Sequence, residues 1–65
     1  MENCERGRVQ HPATHLEIAQ MSDDSGRYTD RTRVCQDHFW SKRKYERLAE
    51  YVPGQEVHSV TRRRL

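Results

Sequence analysis

The sequence feature that most constrains the fold is a Cys-x2-His step, Cys35 and His38, set between a β-prone stretch and the start of a helix. Two ligand-type side chains at this spacing can reach one metal ion at about 2.0–2.3 Å. Phe39 and Trp40, two of the largest apolar residues, follow directly. We therefore expect residues 26–40 to organise the core, with the Cys-x2-His step forming a knuckle between a strand and a helix.

The chain needs such a centre because it can bury little apolar surface. It has 65 residues, of which 32% are hydrophobic and 34% are charged. A chain of this length forms one domain and buries only about 60% of the surface that it exposes when unfolded. Domains of this size often depend on a metal, a disulfide or a partner subunit. We expect a single domain over 1–65, with flexible ends near 1–10 and 61–65.

A tetrahedral structural zinc requires four ligands, so two must come from outside the Cys-x2-His step. Cys4 is the only other cysteine. The fourth ligand is His11 or His15, and we favour His15 because it leads into a strand. The competing interpretation is that these residues carry no ligand role, since isolated cysteines and histidines usually do not. The predicted metal ligands are Cys4, His15, Cys35 and His38.

The apolar pattern of the first half predicts a β-hairpin. In residues 12–21 the apolar positions alternate as in a strand, although Thr14 and Glu17 would also fit a capping box at a helix start. Turn-forming residues over 22–26 favour the hairpin. Its second strand, 27–34, has a basic outer face.

The second half predicts one amphipathic C-terminal helix, which makes the fold class α+β. Ser41 can cap a helix over roughly residues 42–51, with an apolar stripe along one side. Residues 55–61 add a short extended segment. The predicted core consists of Leu16, Ile18, Tyr28, Val34, Phe39, Tyr45, Leu48 and Val52.

The basic residues predict contact with nucleic acid. The chain carries 12 Lys and Arg against 10 Asp and Glu, a net charge of +2, so the distribution matters more than the total. The guanidinium fork of arginine suits phosphate. Cations at a helix start oppose the helix dipole unless an anion binds there. The alternative is a solvated face in which nearby glutamates offset the charge. The predicted nucleic-acid-binding residues are Arg27, Arg31, Arg33, Lys42, Arg43, Lys44 and Arg47.

Several function classes are not expected. No apolar run approaches about 20 residues, which argues against a membrane span. The start lacks the pattern of a secretory signal, so we expect the cytoplasm of a bacterial or host cell, where cysteines stay reduced. We expect no enzyme and no small-molecule substrate, because the chain has no glycine loop of the oxyanion-binding type and too few residues to enclose a pocket.

Five segments carry a resemblance to a known family. They are Met-x-x-Cys at 1–4, Gly-Arg-Tyr-Thr-Asp at 26–30, Cys-Gln at 35–36, Tyr-Glu at 45–46 and Val-Pro-Gly-Gln-Glu-Val-His-Ser-Val at 52–60. Together they resemble the Ogr/Delta family of phage late-gene activators, zinc-containing proteins that bind DNA and contact host RNA polymerase. The likeness covers the first four residues and most of the chain after residue 26.

The resemblance has clear departures. The family uses Cys-x2-Cys and later Cys-x4-Cys, and here Cys4 and Cys35 match the first cysteine of each pair. Gly7 replaces the second cysteine, and His38 lies near the position of the fourth. The step from Cys35 to Phe39 also resembles the end of a THAP zinc finger.

The sequence thus favours a small phage- or prophage-type regulatory protein that binds nucleic acid and contains a structural zinc. The resemblance implies transcription regulation and a host partner such as RNA polymerase. The alternative is a metal-free interaction module that binds and modulates a host protein.

Overall fold

The computed structural model describes residues 3–65, which form one three-stranded antiparallel sheet and one helix. In chain order the elements are β1 (His15–Asp23), β2 (Gly26–Val34), a 3-10 turn (Gln36–His38), α1 (Lys42–Ala49) and β3 (Glu56–Arg64). The strand order is β2-β1-β3. The predicted α+β class is confirmed. No helix within residues 3–65 has the length and apolar character needed to cross a membrane.

The segments near both chain ends take part in backbone pairing, and the flexibility expected near 1–10 and 61–65 stays a prediction. The extended segment predicted over 55–61 is a nine-residue strand, β3, so α1 precedes the last strand. β3 pairs with β1 as far as Arg64, and the Leu65 N–H donates to the Thr14 carbonyl at 3.0 Å. Residues 1–2 lie outside the described part of the chain, and Asn3 forms a β-bridge with Pro12.

The predicted hairpin is present, and residues 15–21 are strand, which excludes the helical alternative there. β1 and β2 pair from His15–Val34 to Asp23–Gly26. The connection is tightened by the Ser25 N–H, which donates to Asp23 Oδ1 at 2.8 Å. Gly26 has a φ of +121°, a backbone conformation that favours glycine.

Helix α1 begins where the sequence predicts. The Ser41 hydroxyl accepts a hydrogen bond from the Lys44 N–H at 3.3 Å, which satisfies one of the unpaired amides of the first turn. The helix ends at Ala49, two residues before the predicted end. It covers one face of the sheet, where the core cluster consists of Ala19, Met21, Tyr45 and Val57.

The core lies on the opposite face of β1 from the one predicted. Successive side chains of a strand point to opposite faces, so Glu17, Ala19 and Met21 share the face under the helix. The prediction that Leu16 and Ile18 form the core is therefore wrong, because both lie on the uncovered face and are only partly buried. We call this uncovered face the open face; the pairing register places on it Leu16, Ile18, Gln20, Ser22, Arg27, Thr29, Arg31, Arg33, Glu56, Ser59, Thr61 and Arg63.

The other predicted core residues have mixed outcomes. Val34 and Tyr45 are buried, as predicted. Tyr28 packs against the core cluster while remaining partly exposed. Leu48 and Val52 are 42% and 49% exposed, so their assignment to the core is wrong. Phe39, the remaining residue of the predicted core, is partly buried.

A buried ion pair takes the place that Leu16 and Ile18 were expected to fill. Glu17 is 0% exposed, and its carboxylate accepts hydrogen bonds from Arg6 at 2.8 and 2.5 Å and from the Trp40 N–H at 2.7 Å. The Tyr45 hydroxyl also donates to it. The Arg6 guanidinium lies 3.6 Å from the centre of the Trp40 ring, within the range of a cation–π contact. This network, Arg6–Glu17–Tyr45–Trp40, joins the N-terminal segment to the sheet and the helix.

The pKa shifts follow from this environment. Burial alone would raise the pKa of Glu17, but the hydrogen bonds from Arg6, Tyr45 and the Trp40 N–H outweigh burial and lower it. Burial, together with the bond to Glu17, raises the pKa of Tyr45 to about 12. At neutral pH the Glu17 carboxylate is therefore ionised and the Tyr45 phenol is neutral.

We predict that Glu17→Gln destabilises the protein by about 3–5 kcal/mol, because it leaves the Arg6 charge buried without its partner. Glu5→Gln is the matched control: it removes the same charge from a half-exposed pair with Arg33 and should cost at most about 1 kcal/mol. Urea unfolding at pH 7 measures both, and equal losses would contradict the proposed importance of the buried pair.

The same pair predicts a pH dependence. Because the pKa of Glu17 is lower in the folded protein than in the unfolded chain, its stabilisation is present above the unfolded value of about 4.3. It is lost as the pH falls through the folded pKa. The stability difference between the wild type and Glu17→Gln should therefore shrink below about pH 4.

Candidate metal centre

Four metal-ligating side chains from three segments of the chain meet at one end of the sheet. Cys4 comes from the N-terminal segment, His11 precedes β1, and Cys35 and His38 lie in the connection between β2 and α1. One ligand atom of each lies within 4.8 Å of all the others. This group, found among residues 3–65, could hold a metal ion.

The distances fit a tetrahedral ion. Cys35 Sγ lies 2.9 Å from His38 Nδ1 and 3.1 Å from His11 Nε2, and the two ring nitrogens are 3.1 Å apart. Cys4 Sγ lies 3.8 Å from His38 Nδ1. In a tetrahedron with zinc bonds of about 2.3 Å to sulfur and about 2.0–2.1 Å to nitrogen, neighbouring ligand atoms are about 3.3–3.8 Å apart. The three shorter distances are roughly 0.3–0.7 Å below these values, and every other distance between ligand atoms is at most 4.8 Å, so shifts of up to about 1 Å would bring the group to a tetrahedron.

Backbone groups orient two of the four side chains, those of His11 and Cys4. Nδ1 of His11 lies 2.7 Å from the Val9 carbonyl, so it carries the proton and leaves Nε2 for the metal. The same contact raises the pKa of His11, so a metal must compete with a proton there. The Cys35 N–H donates to Cys4 Sγ at 3.3 Å, which holds that sulfur against the turn that carries Cys35. The Cys4 N–H closes the N-terminal loop by donating to the His11 carbonyl at 2.9 Å.

Gly7 allows the two histidine rings to approach each other. Its φ is +102°, and a Cβ there would lie 3.1 Å from Cε1 of both His11 and His38. The ring centroids of these two residues are 4.9 Å apart. Gly7 therefore leaves space between the side chains of two candidate ligands.

The structure brings together three of the four predicted ligands and replaces the fourth. Cys4, Cys35 and His38 belong to the group, and His11 completes it. The structure does not bring the preferred His15 into this group: His15 lies in β1, and its Nδ1 lies 2.7 Å from the Thr14 hydroxyl. His11 lies in the loop before β1, which brings its side chain close to the other three candidate ligands.

The predicted nucleic-acid-binding residues fall on two separate surfaces. The three from β2, at positions 27, 31 and 33, lie on the open face and are exposed. The four from α1, at positions 42, 43, 44 and 47, are exposed on the helix that covers the other face. The structure therefore does not join the strand arginines and the helix cations into one basic patch.

Sequence reasoning missed the residues that hold the centre in place. The sequence does offer His11 as one of two candidates for the fourth ligand, although the preference there is for His15. Nothing in the sequence marks Arg6 as the partner of Glu17. Arg6 also donates to the His38 carbonyl at 2.9 Å, which connects the buried ion pair directly to the ligand turn.

Comparisons with known proteins do not place the chain in a family. No protein-family model, curated protein or solved structure matches it. The resemblance to the Ogr/Delta family therefore stays a prediction from the sequence pattern. The fold and the geometry establish an α+β domain with a Cys2His2 group that could hold a metal ion.

We predict that Gly7→Ala lowers metal affinity by about 10- to 100-fold, because its methyl group pushes the two histidine rings apart. Gly26→Ala is the matched control, since Gly26 also has a positive φ but its Cβ would meet nothing within 4 Å. Both variants should lose about 1–3 kcal/mol of stability from backbone strain. Titration with cobalt(II), followed by its visible absorption, measures the affinities. Unchanged affinity in Gly7→Ala would contradict this role of Gly7.

A pair of histidine variants tests the ligand assignment. We expect His11→Ala to lose tight binding of one metal ion per chain, because it removes one of four ligands. His15→Ala should retain one ion, since His15 lies outside the group. Elemental analysis of the purified variants measures the stoichiometry, and the reverse pattern would restore His15 as the ligand.

Proposed function

We propose that the chain is a small zinc-stabilised regulatory protein that binds nucleic acid through the open face of its sheet, and that it acts in transcription regulation. One observation carries the proposal. Arg31 and Arg63 flank Leu16 and Ile18 on the open face, are exposed, and have no hydrogen-bond or ion-pair partner in the described part of the chain. Free guanidinium groups on a broad, uncovered face are suited to phosphate.

The donor set supports zinc as the metal. Two thiolates and two imidazoles in a tetrahedral arrangement are typical of structural zinc sites, whereas magnesium and calcium prefer oxygen ligands. With four protein ligands the ion has no open position for a substrate, so we propose a structural and not a catalytic role. The zinc would join the N-terminal segment to the turn before α1, which gives this small domain a cross-link that its core alone lacks.

The arrangement of charge supports nucleic acid as the partner. Arg27 and Arg31 are four residues apart on one strand, which separates them by about 13 Å. Arg63 on β3 lies across β1 from this row. Two carboxylates lie beside these arginines: Glu5 is bound to Arg33, and Glu56 lies across β1 from Arg27. The face therefore keeps an excess of positive charge, and binding to phosphate would release counterions and weaken with salt.

We predict that Arg31→Gln weakens binding to nucleic acid and lowers the slope of log K against log salt by about 0.7–0.9. Arg47→Gln removes the same charge from the helix on the other side of the sheet, and it should leave both the affinity and the slope nearly unchanged. Fluorescence anisotropy with labelled DNA over a salt series measures both. Equal effects of the two variants would contradict the open face as the binding surface. Absence of binding at low salt would favour the metal-free protein-interaction alternative.

A further inference from the structure

The open face contains a shallow, widely open cavity next to Glu5, the residue that follows Cys4 of the candidate metal centre. Five residues line a volume of about 340 Å³, which is at the lower end of the range for small-ligand sites. Its apolar part is formed by Leu16 and Leu65 and its polar part by Glu5, Arg31 and Arg33. A planar group with apolar faces and a polar edge fits this combination.

The guanidinium of Arg31 can stack on such a group. Arg31 is exposed and makes no hydrogen bond or ion pair with the other described residues. Nucleobases stack on arginine guanidinium planes as well as on aromatic rings. The apolar side chains of Leu16 and Leu65 would cover the remainder of a base in contact with them.

Glu5 supplies an acceptor for the edge of a base. Its Oε2 accepts the Arg33 N–H at 2.6 Å and lies 3.5 Å from Arg33 Nε. Among residues 3–65, its Oε1 has no partner. An ionised carboxylate only accepts hydrogen bonds, so it matches the exocyclic amino group of cytosine, adenine or guanine. Thymine and uracil have no exocyclic amino group, and their one edge donor, the N3 imino N–H, lies between two carbonyl oxygens that repel a carboxylate.

We infer that this cavity receives one unpaired base that carries an exocyclic amino group, so that the open face selects single-stranded nucleic acid over duplex. The inference rests on the proposed nucleic-acid function. A base must protrude to enter a recess, and bases in a duplex are stacked.

The metal centre contributes to this cavity through the chain itself. Glu5 follows the ligand Cys4, and the Glu5 N–H donates to the Arg33 carbonyl at 2.8 Å. The N-terminal segment is thereby held along the end of β2. The proposed zinc thus positions one wall of the proposed base site.

The test compares three labelled ten-nucleotide probes at low salt: single-stranded oligo-dC, single-stranded oligo-dT and the dC:dG duplex. We expect oligo-dC to bind about 5-fold or more tightly than oligo-dT, with the duplex weaker than oligo-dC. Arg31→Lys keeps the charge but lacks the planar group, and Glu5→Gln replaces the acceptor pair with an amide. Both variants should reduce the preference for oligo-dC over oligo-dT.

Arg27→Gln is the matched control, because Arg27 lies on the same face but outside the cavity. Arg27→Gln should weaken the binding of oligo-dC and of oligo-dT by the same factor, so the ratio of the two affinities stays unchanged. Equal binding of the two oligonucleotides, or tightest binding of the duplex, would overturn the base site while the proposed function stands. Absence of binding to all three probes, or competition by an oligo-glutamate peptide at equal strength, would overturn the proposed function itself.

Discussion

The buried pair of Arg6 and Glu17 is the interaction on which the arrangement of this protein depends. Glu17 is a central-strand residue under the helix, and Arg6 reaches it from the N-terminal segment. Desolvating two charges is unfavourable unless every remaining polar group is satisfied. Here Tyr45 and the Trp40 N–H complete the shell of the carboxylate. The pair can form only when the N-terminal segment, the sheet and the helix are assembled in one way.

This pair also explains why the metal-ligating residues meet. Arg6 lies between Cys4 and His11 in the chain and donates to the carbonyl of His38. The buried pair therefore holds the N-terminal loop against the turn that carries the other two ligands. The proposed zinc and the ion pair are two cross-links between the same segments, one of them at the end of the sheet and the other under the helix. The N-terminal segment has few apolar side chains, so polar contacts must hold it.

The helix and the open face then have separate roles. Burying Ala19 and Met21 under α1 leaves Leu16, Ile18 and the strand arginines on the opposite side. The apolar residues of the open face are too few to serve as a core, and they are surrounded by cations. This combination differs from the basic helix start that the sequence suggested as part of one nucleic-acid surface. The proposed function accordingly relies on the sheet and not on the helix.

The sequence by itself determined the elements. Local signals, namely turn residues, alternation and a capping serine, are sufficient for the hairpin, for the start of α1 and for the basic outer face of β2, because these depend on neighbours in the chain. The Cys-x2-His step likewise marked half of the ligand group. Only the tertiary structure decided which face of β1 is buried and that His11, not His15, completes the group. The alternating pattern of β1 predicts that Glu17 faces solvent. A carboxylate is buried only when partners such as Arg6 and Tyr45 compensate its desolvation. Those partners are distant in the chain, so the local pattern contains no information about them.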